Sequence, residues 1–221
     1  MSQRNNTIEK IIKAIKKEAI KWEYPFVSEW ARVVKDPFTT LVSCLLSLRT
    51  KDEVTAKAAI RLLKKYNTPK KILKLSNKEI EKLIYPVGFY KTKARRIKEI
   101  SKKIIEEHNG IVPNKFEELI KLKGVGPKTA SIVMVYGFNK PDHIAVDSHV
   151  HQTTNRLGLV KTKTPEKTKI ELEKIIPKKH WHEFNELFVQ FGRNICVPIS
   201  PFCSKCPVKR YCKQVDVTRK R

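Results

Sequence analysis

Along most of the chain, apolar positions recur every three or four residues, the spacing of a helix face turned to a core. Ile8, Ile11, Ile12, Ile15, Ala19 and Trp22 make the first such stripe, with Thr7 as the expected N-cap. Asp36-Pro37 opens a second predicted helix through Phe38, Leu41, Val42, Leu45 and Leu46. Two capping boxes follow, Thr50-Lys51-Asp52-Glu53 ahead of 54–66 and Ser76-Asn77-Lys78-Glu79 ahead of 80–84. Residues 92–108 read as a long helix ended by Gly110, with Ala94, Ile97, Ile100 and Ile104 inward. Residues 114–121 and 127–138 read as two helices joined by a tight turn, and 148–157 as a helix closed by Gly158. Thr164-Pro165 opens a helix to residue 176, and Trp181, Phe184, Leu187, Phe188 and Phe191 form a last stripe. No strand alternation stands out, so the predicted fold class is all-α. Thr218-Arg219-Lys220-Arg221 reads as a frayed basic end.

The tight turn is Leu122-Lys123-Gly124-Val125-Gly126-Pro127-Lys128-Thr129. Glycine permits positive φ and close backbone approach, and proline is pre-shaped for a first helical position. The amides of Val125, Gly126 and Lys128 are expected at a helix N-terminus, where free N–H groups and the dipole favour an anion such as phosphate. The shape is a helix-hairpin-helix, a sequence-independent grip on a nucleic-acid backbone.

Charge points the same way. Lys and Arg number 47 against 22 acids in 221 residues, a formal net charge of +25. Self-repulsion on that scale calls for a polyanionic partner, although a solvated lysine-rich surface is the plainer alternative. Hydrophobic residues make up 40% of the chain, enough for a packed core. No apolar stretch reaches membrane-spanning length. The start, Met-Ser-Gln-Arg-Asn-Asn, is polar and unlike a signal peptide, so a reducing, cytoplasmic setting is expected. There, clustered cysteines suggest a metal rather than disulfides. Cys196, Cys203, Cys206 and Cys212 are spaced C-x6-C-x2-C-x5-C. Thiolates so placed can wrap zinc or an iron–sulfur cluster, and spacing alone leaves both open. Cys44 lies in an apolar run and reads as core.

Lys128 and Asp147 are candidates for chemistry. A free lysine has a pKa near about 10.4, so only about one in 2,500 is a neutral amine at pH 7. A nucleophilic lysine therefore needs burial or neighbouring cations. Asp147 precedes a helix and could simply cap it. It could equally accept the amine's proton or stabilise positive charge developing on a sugar.

The order of these pieces is specific. The chain resembles the endonuclease III family of helix-hairpin-helix DNA glycosylases over nearly its whole length. The resemblance is carried by Leu45-Leu46-Ser47 with Thr50-Lys51-Asp52, Gly88-Phe89-Tyr90-Lys91-Thr92-Lys93-Ala94, His108-Asn109-Gly110, Gly124 to Ala130, Ile144 to His149, and the four cysteines. It implies a bifunctional enzyme of base excision repair. Lys128 would attack C1′ of the damaged nucleoside, expel the base as a Schiff base forms, and allow β-elimination to cut on the 3′ side. Asp147 would assist, and oxidised pyrimidines such as thymine glycol would be the substrates, along with abasic sites. The cysteines would hold a [4Fe-4S] cluster, a choice their spacing did not make. DNA contacts would include Arg49, Phe89, Lys93, Lys123, Gly124, Val125, Gly126, His149 and Lys205. Two helical lobes would flank a cleft: a barrel at 30–140 with the hairpin at about 114–138, and a discontinuous lobe from 1–29 plus 141–221. The partner would be damaged double-stranded DNA, met by a monomer, nucleoid-associated and prokaryotic.

Several residues depart from the family's pattern. Lys123 stands where proline is usual, and Arg49 where a bacterial relative has glutamine. Gln152 stands where arginine is common. The loop Val197-Pro198-Ile199-Ser200-Pro201-Phe202 has no basic residue, although in relatives it is often basic and touches DNA, so either Lys205, Lys209 and Arg210 take over that contact or the contact is weaker. Two rivals remain: a glycosylase/lyase restricted to mismatches or abasic sites, and a non-catalytic helix-hairpin-helix DNA-binding protein with a structural metal.

Overall fold

The computed structural model describes residues 2–221, and side chains from residue 5 onward. Among the described residues it is all-helical, with no strand. The chain divides into two compact units, residues 1–25 with 141–221, and residues 26–140.

The first helix, α1, spans Ser2–Ala19. Thr7 therefore lies inside the helix rather than at its start, because the polar run before it is itself helical. Its stripe from Ile8 to Ile15 is at most 2% exposed. The unit of residues 26–140 begins with α2 (Phe26–Val34), an amphipathic helix that the sequence reading passed over. Then come α3 (Pro37–Ser47), α4 (Asp52–Leu63), α5 (Pro69–Leu73), α6 (Asn77–Ile84) and α7 (Tyr90–His108). Asp36 caps α3 by accepting from the Thr39 amide at 2.7 Å. The Ser76 capping box forms as predicted, with Glu79 returning a bond to the Ser76 amide at 2.7 Å. The Thr50 box does not: Lys51 is the N-cap of α4 and gives no side-chain bond. Thr50 is drawn away by Gly88 and Lys93.

Leu41, Leu46, Leu62, Ile72, Ile80 and Ile104, all under 1% exposed, sit in this unit's core. Fully burying such side chains contributes about 1.5–3 kcal/mol each. The hairpin follows. Its first helix is a single turn, α8 (Phe116–Leu119), and its second, α9 (Pro127–Ile132), passes into a π-helical stretch at Val133–Gly137. The wider turn brings Gly137 against α3, where an added Cβ would lie 3.0 Å from Pro37 Cα.

In the other unit, α1 packs on α12 (Trp181–Asn194), which also meets α10 (Ser148–Leu157), and α10 meets α11 (Pro165–Ile175). Phe184 and Phe188 stack at 4.1 Å between ring centroids in this second core. Thr164 caps α11 and Gly158, at φ 75°, ends α10, both as predicted. The basic end is not frayed. Arg221 donates its amide to the Pro201 carbonyl at 2.8 Å and accepts from the Ser204 amide at 2.9 Å. No described helix is long and apolar enough to cross a membrane.

Candidate functional site

The structure places Arg49, Phe89, Lys93, Lys123, Gly124, Val125, Gly126 and Lys128 on the 26–140 unit. Asp147, His149, Lys205 and the four cysteines belong to the other.

The hairpin turn is built from short-range bonds. The Leu122 amide donates to Leu119, Val125 to Leu122 at 2.9 Å, and Ala130 to Gly126 at 3.0 Å. Gly124 adopts φ 84°, and a Cβ there would come 2.9 Å from Arg96 Nη1. Gly126 has neither excuse: its φ is −92° and a Cβ would meet nothing within 4 Å. It leaves open space over the start of α9. The Val125 amide was expected in the anion grip, but Leu122 takes it, and the side chain is 5% exposed in the core. Lys123 is an exposed cation with Glu99 at 3.9 Å.

Pro127 and Lys128 are the first two residues of α9, and Lys128 is half-buried. Its helix packs against α3, which carries Cys44. Burial pushes the Cys44 thiol up to about 12, against a smaller opposing pull from the Lys128 charge.

Arg49 and Phe89 form a pair. Both are non-glycine residues at positive φ, 51° and 57°. Phe89 is 64% exposed, and the Arg49 guanidinium lies 5.9 Å from its ring centroid. A left-handed backbone costs about 1–3 kcal/mol at such residues and persists only where the surroundings enforce it. Three residues do so. Gly88 donates its amide to Thr50 Oγ1 at 3.2 Å and lies so close that a Cβ would stand 2.6 Å from the Arg49 carbonyl oxygen. Lys93 donates to the carbonyls of Leu46 (2.8 Å) and Leu48 (2.5 Å) and to Thr50 Oγ1 (3.1 Å).

Lys93 is thus placed differently from the expectation. It is 8% exposed and its ammonium is turned into the fold, because the turn at 46–50 presents carbonyls there that need a donor. Burial lowers its pKa to about 8. Thr50 and Gly88 were not singled out as site residues. The sequence signal was that both lie in motifs that carry the resemblance, Thr50-Lys51-Asp52 and Gly88 to Ala94.

Asp147 is carried on a buried approach. Ile144, Ala145 and Val146 are 0%, 2% and 6% exposed. Glu173 accepts the Ile144 amide at 3.0 Å, and Asn185 Nδ2 donates to the Ala145 carbonyl at 2.9 Å. Asp147 then caps α10, its Oδ1 accepting from the Val150 amide at 2.9 Å. Its capping role is therefore real. His149 packs on Gly192, where a Cβ would stand 2.9 Å from that of His149.

The four cysteines line one small apolar cavity, of about 20 Å³, with Leu157, Phe191 and Ile195 among its walls. None is in a disulfide. N–H donors aim at sulfur: Gln214 at Cys212 Sγ, 3.4 Å, and Arg156 Nη1 at Cys196 Sγ, 3.8 Å. All four cysteines border this apolar space and two of the sulfurs already have N–H donors, a donor set that suits thiolate ligands, although among the described residues no three His, Cys, Asp or Glu side chains are grouped to hold a single ion. Gln152 gains an account: its Nε2 holds the Cys196 carbonyl at 3.0 Å. Arg156 secures the loop further, donating to the carbonyls of Val197 (2.8 Å) and Pro198 (2.6 Å). Lys205 is exposed on the 3₁₀ turn Cys203–Lys205.

An all-helical fold with this hairpin defines a class. Residues 42–178 match the model of the HhH-GPD superfamily of base excision DNA repair proteins. The chain belongs to the endonuclease III family, bifunctional DNA glycosylases and AP lyases. It is 48% identical to endonuclease III of Thermotoga maritima over 80% of this chain and 83% of that one. It is 42% identical to endonuclease III-like protein 1 of Gallus gallus, over 76% of this chain but 61% of the longer relative. Among solved structures, it superposes on a trapped endonuclease III–DNA covalent intermediate with a TM-score of 0.83, at 33% identity, covering 95% of this chain and 96% of that one. A thermostable thymine-DNA glycosylase gives the same TM-score at 25% identity, over 96% of each chain.

Proposed function

We propose that this chain excises oxidised pyrimidines of the thymine-glycol type from duplex DNA and cuts the strand 3′ to the resulting abasic site. The observation that carries the reading is Lys128 itself, half-buried at the second position of α9, behind a turn that leaves open space at Gly126. Lys128 Nζ attacks C1′ of the flipped nucleotide. The C1′–N bond breaks and the base leaves with its electron pair and a proton. Opening of the sugar ring gives an iminium between Nζ and C1′. Loss of a C2′ proton then expels the 3′ phosphate, and water releases the enzyme. Asp147 takes up the amine's proton or steadies positive charge at the sugar. A reaction at C1′ needs the nucleotide out of the stack, and Arg49 and Phe89 fill the space it leaves. Gly124, Gly126, Lys123, His149 and Lys205 hold the backbone.

Cys196, Cys203, Cys206 and Cys212 would hold a [4Fe-4S] cluster, whose part is to tie the 197–212 loop to the end of α12. The protein acts as a monomer.

Borohydride should trap a covalent adduct between this protein and a thymine-glycol duplex, and Lys128→Ala should abolish trapping while binding survives. Equal nicking of abasic DNA by wild type and Lys128→Ala would sink the assignment. A panel of duplexes bearing thymine glycol, 8-oxoguanine, uracil, a T·G mismatch or an abasic site separates this range from a mismatch- or abasic-restricted enzyme.

A further inference from the structure

The 197–202 loop has no cation of its own, yet the fold seats one against it. Arg221 is joined to the loop by its backbone, through Pro201 at 2.8 Å and Ser204 at 2.9 Å. Its Nε donates to the Ser200 carbonyl at 2.9 Å, and its guanidinium carbon lies 3.9 Å from the centroid of the Phe202 ring. Lys220 Nζ donates to Gln214 Oε1 at 2.9 Å, which steadies the approach. The guanidinium keeps four further N–H donors, and Arg219, Lys220 and Arg221 are all exposed, as is Lys205 on the neighbouring turn.

This crowding is electrostatically unfavourable by itself. Residues 196–221 contain seven Lys or Arg against a single acid, Asp216. Like charges gathered in so short a stretch of chain repel, and a polyanion offsets that repulsion. Arg156, the other arginine at this loop, is consumed by loop carbonyls and Cys196. Arg221 is instead clasped at the surface with part of its guanidinium still available, and Arg219 and Lys220 are exposed beside it.

We propose that residues 219–221, clasped onto the 197–202 loop, form with Lys205 a phosphate-binding rim for the backbone of the enzyme's duplex substrate. The rim supplies from the end of the fold the charge that the loop lacks. It rests on the reading of the chain as a DNA repair enzyme. The rim meets phosphate, so it carries no sequence preference and strengthens binding equally on lesion-bearing and undamaged duplex.

The test is the salt dependence of binding to a duplex carrying a tetrahydrofuran abasic analogue, followed by anisotropy. In the triple variant Arg219→Gln, Lys220→Gln, Arg221→Gln the log–log slope should flatten by about 0.9 for each phosphate the protein no longer neutralises, about 2–3 in total. Borohydride trapping at saturating abasic duplex should match wild type. Unchanged slope and affinity would overturn the proposal. If the triple variant loses its near-ultraviolet dichroism, the double variant Arg219→Gln, Lys220→Gln decides, because it leaves every Arg221 interaction in place. Its slope should flatten by about 2, and an unaltered slope overturns the proposal. If wild type neither binds the analogue duplex nor is trapped on a true abasic duplex, the repair reading itself fails and takes the rim with it. If wild type does both, only the rim is at stake.

Discussion

Lys93 donates to the carbonyl of Leu48 from inside the fold, one residue before Arg49 turns to positive φ. With its bonds to Leu46 and Thr50, this makes a buried ammonium the brace beneath the Arg49–Phe89 pair. A charge is an expensive brace, and the structure shows why one is used. Two carbonyls and a hydroxyl converge there, and an ammonium offers three donors.

The pH dependence of stability should expose that brace. The Lys93 pKa falls from its ordinary 10.5 to about 8 because of burial. Below about 8 both folded and unfolded chains hold the proton, and the cost of burying the charge is fully present. Between about 8 and 10.5 the unfolded chain holds a proton the folded one has shed, so this group's contribution to stability rises with pH, approaching about 3 kcal/mol at the top of that window. Comparing denaturant unfolding of wild type and Lys93→Met at pH 7 and pH 9.5 checks it. Wild type should gain relative to the variant at the higher pH, and a pH-independent difference between them would refute the assignment. At pH 7, Lys93→Met should still destabilise by about 1–3 kcal/mol, because it strands buried carbonyls.

Gly88 and Phe89 should separate fold from function. Gly88→Ala puts a methyl group 2.6 Å from the Arg49 carbonyl oxygen, so backbone must move, and both stability and abasic-duplex binding should fall. Phe89→Ala removes an exposed ring and should leave the melting temperature within a few degrees of wild type. If Phe89 stacks in the helix, the loss of about 1–3 kcal/mol of stacking weakens abasic-duplex binding by about 5- to 150-fold. Unchanged affinity in Phe89→Ala would remove it from the DNA interface.

These contacts mark where the sequence stops being informative. Helix faces were legible because a 3.6-residue period repeats over many turns, so the Ile8–Ile15 and Phe184–Phe191 stripes lie where the pattern places them. The hairpin and the cysteines were legible because local chemistry, Gly-x-Gly-Pro and clustered thiols, fixes them. The Thr50 box misled because a threonine can cap only if nothing better claims its hydroxyl, and Gly88, 38 residues on, does. Lys93 misled for a related reason, since a lysine's sequence neighbours do not show that two carbonyls of another segment need it. Arg221 looked frayed because its partners lie about twenty residues back in a loop without periodicity.

Asp147 has a structural task that mutation can split from its proposed chemical one. Its Oδ1 caps α10 through Val150. Asparagine caps about as well as aspartate, so Asp147→Asn should keep stability within about 0.5 kcal/mol, whereas Asp147→Ala should lose about 1 kcal/mol. Both should slow single-turnover cleavage of a thymine-glycol duplex by about 10²–10⁴-fold if the carboxylate handles a proton. If Asp147→Asn cleaves as fast as wild type, Asp147 is a cap and nothing more.

The proposed cluster should act as a local clamp. Its cavity joins Phe191 and Ile195, at the end of α12, to Cys203, Cys206 and Cys212 on the loop that follows. Metal-binding energy at such a site is folding energy for the segment it closes. Metal analysis of the purified protein should find iron rather than zinc. Stripping the iron should raise hydrogen exchange at the amides of Phe202, Cys212 and Arg221 by about tenfold or more, through local opening. Exchange at Ile80 and Ile104 of the other unit should barely change, because their core shares no residue with the cavity. Equal protection at Phe202 and Cys212 with and without iron would mean that packing alone, through Arg156, Gln152 and the Arg221 clasp, holds the loop.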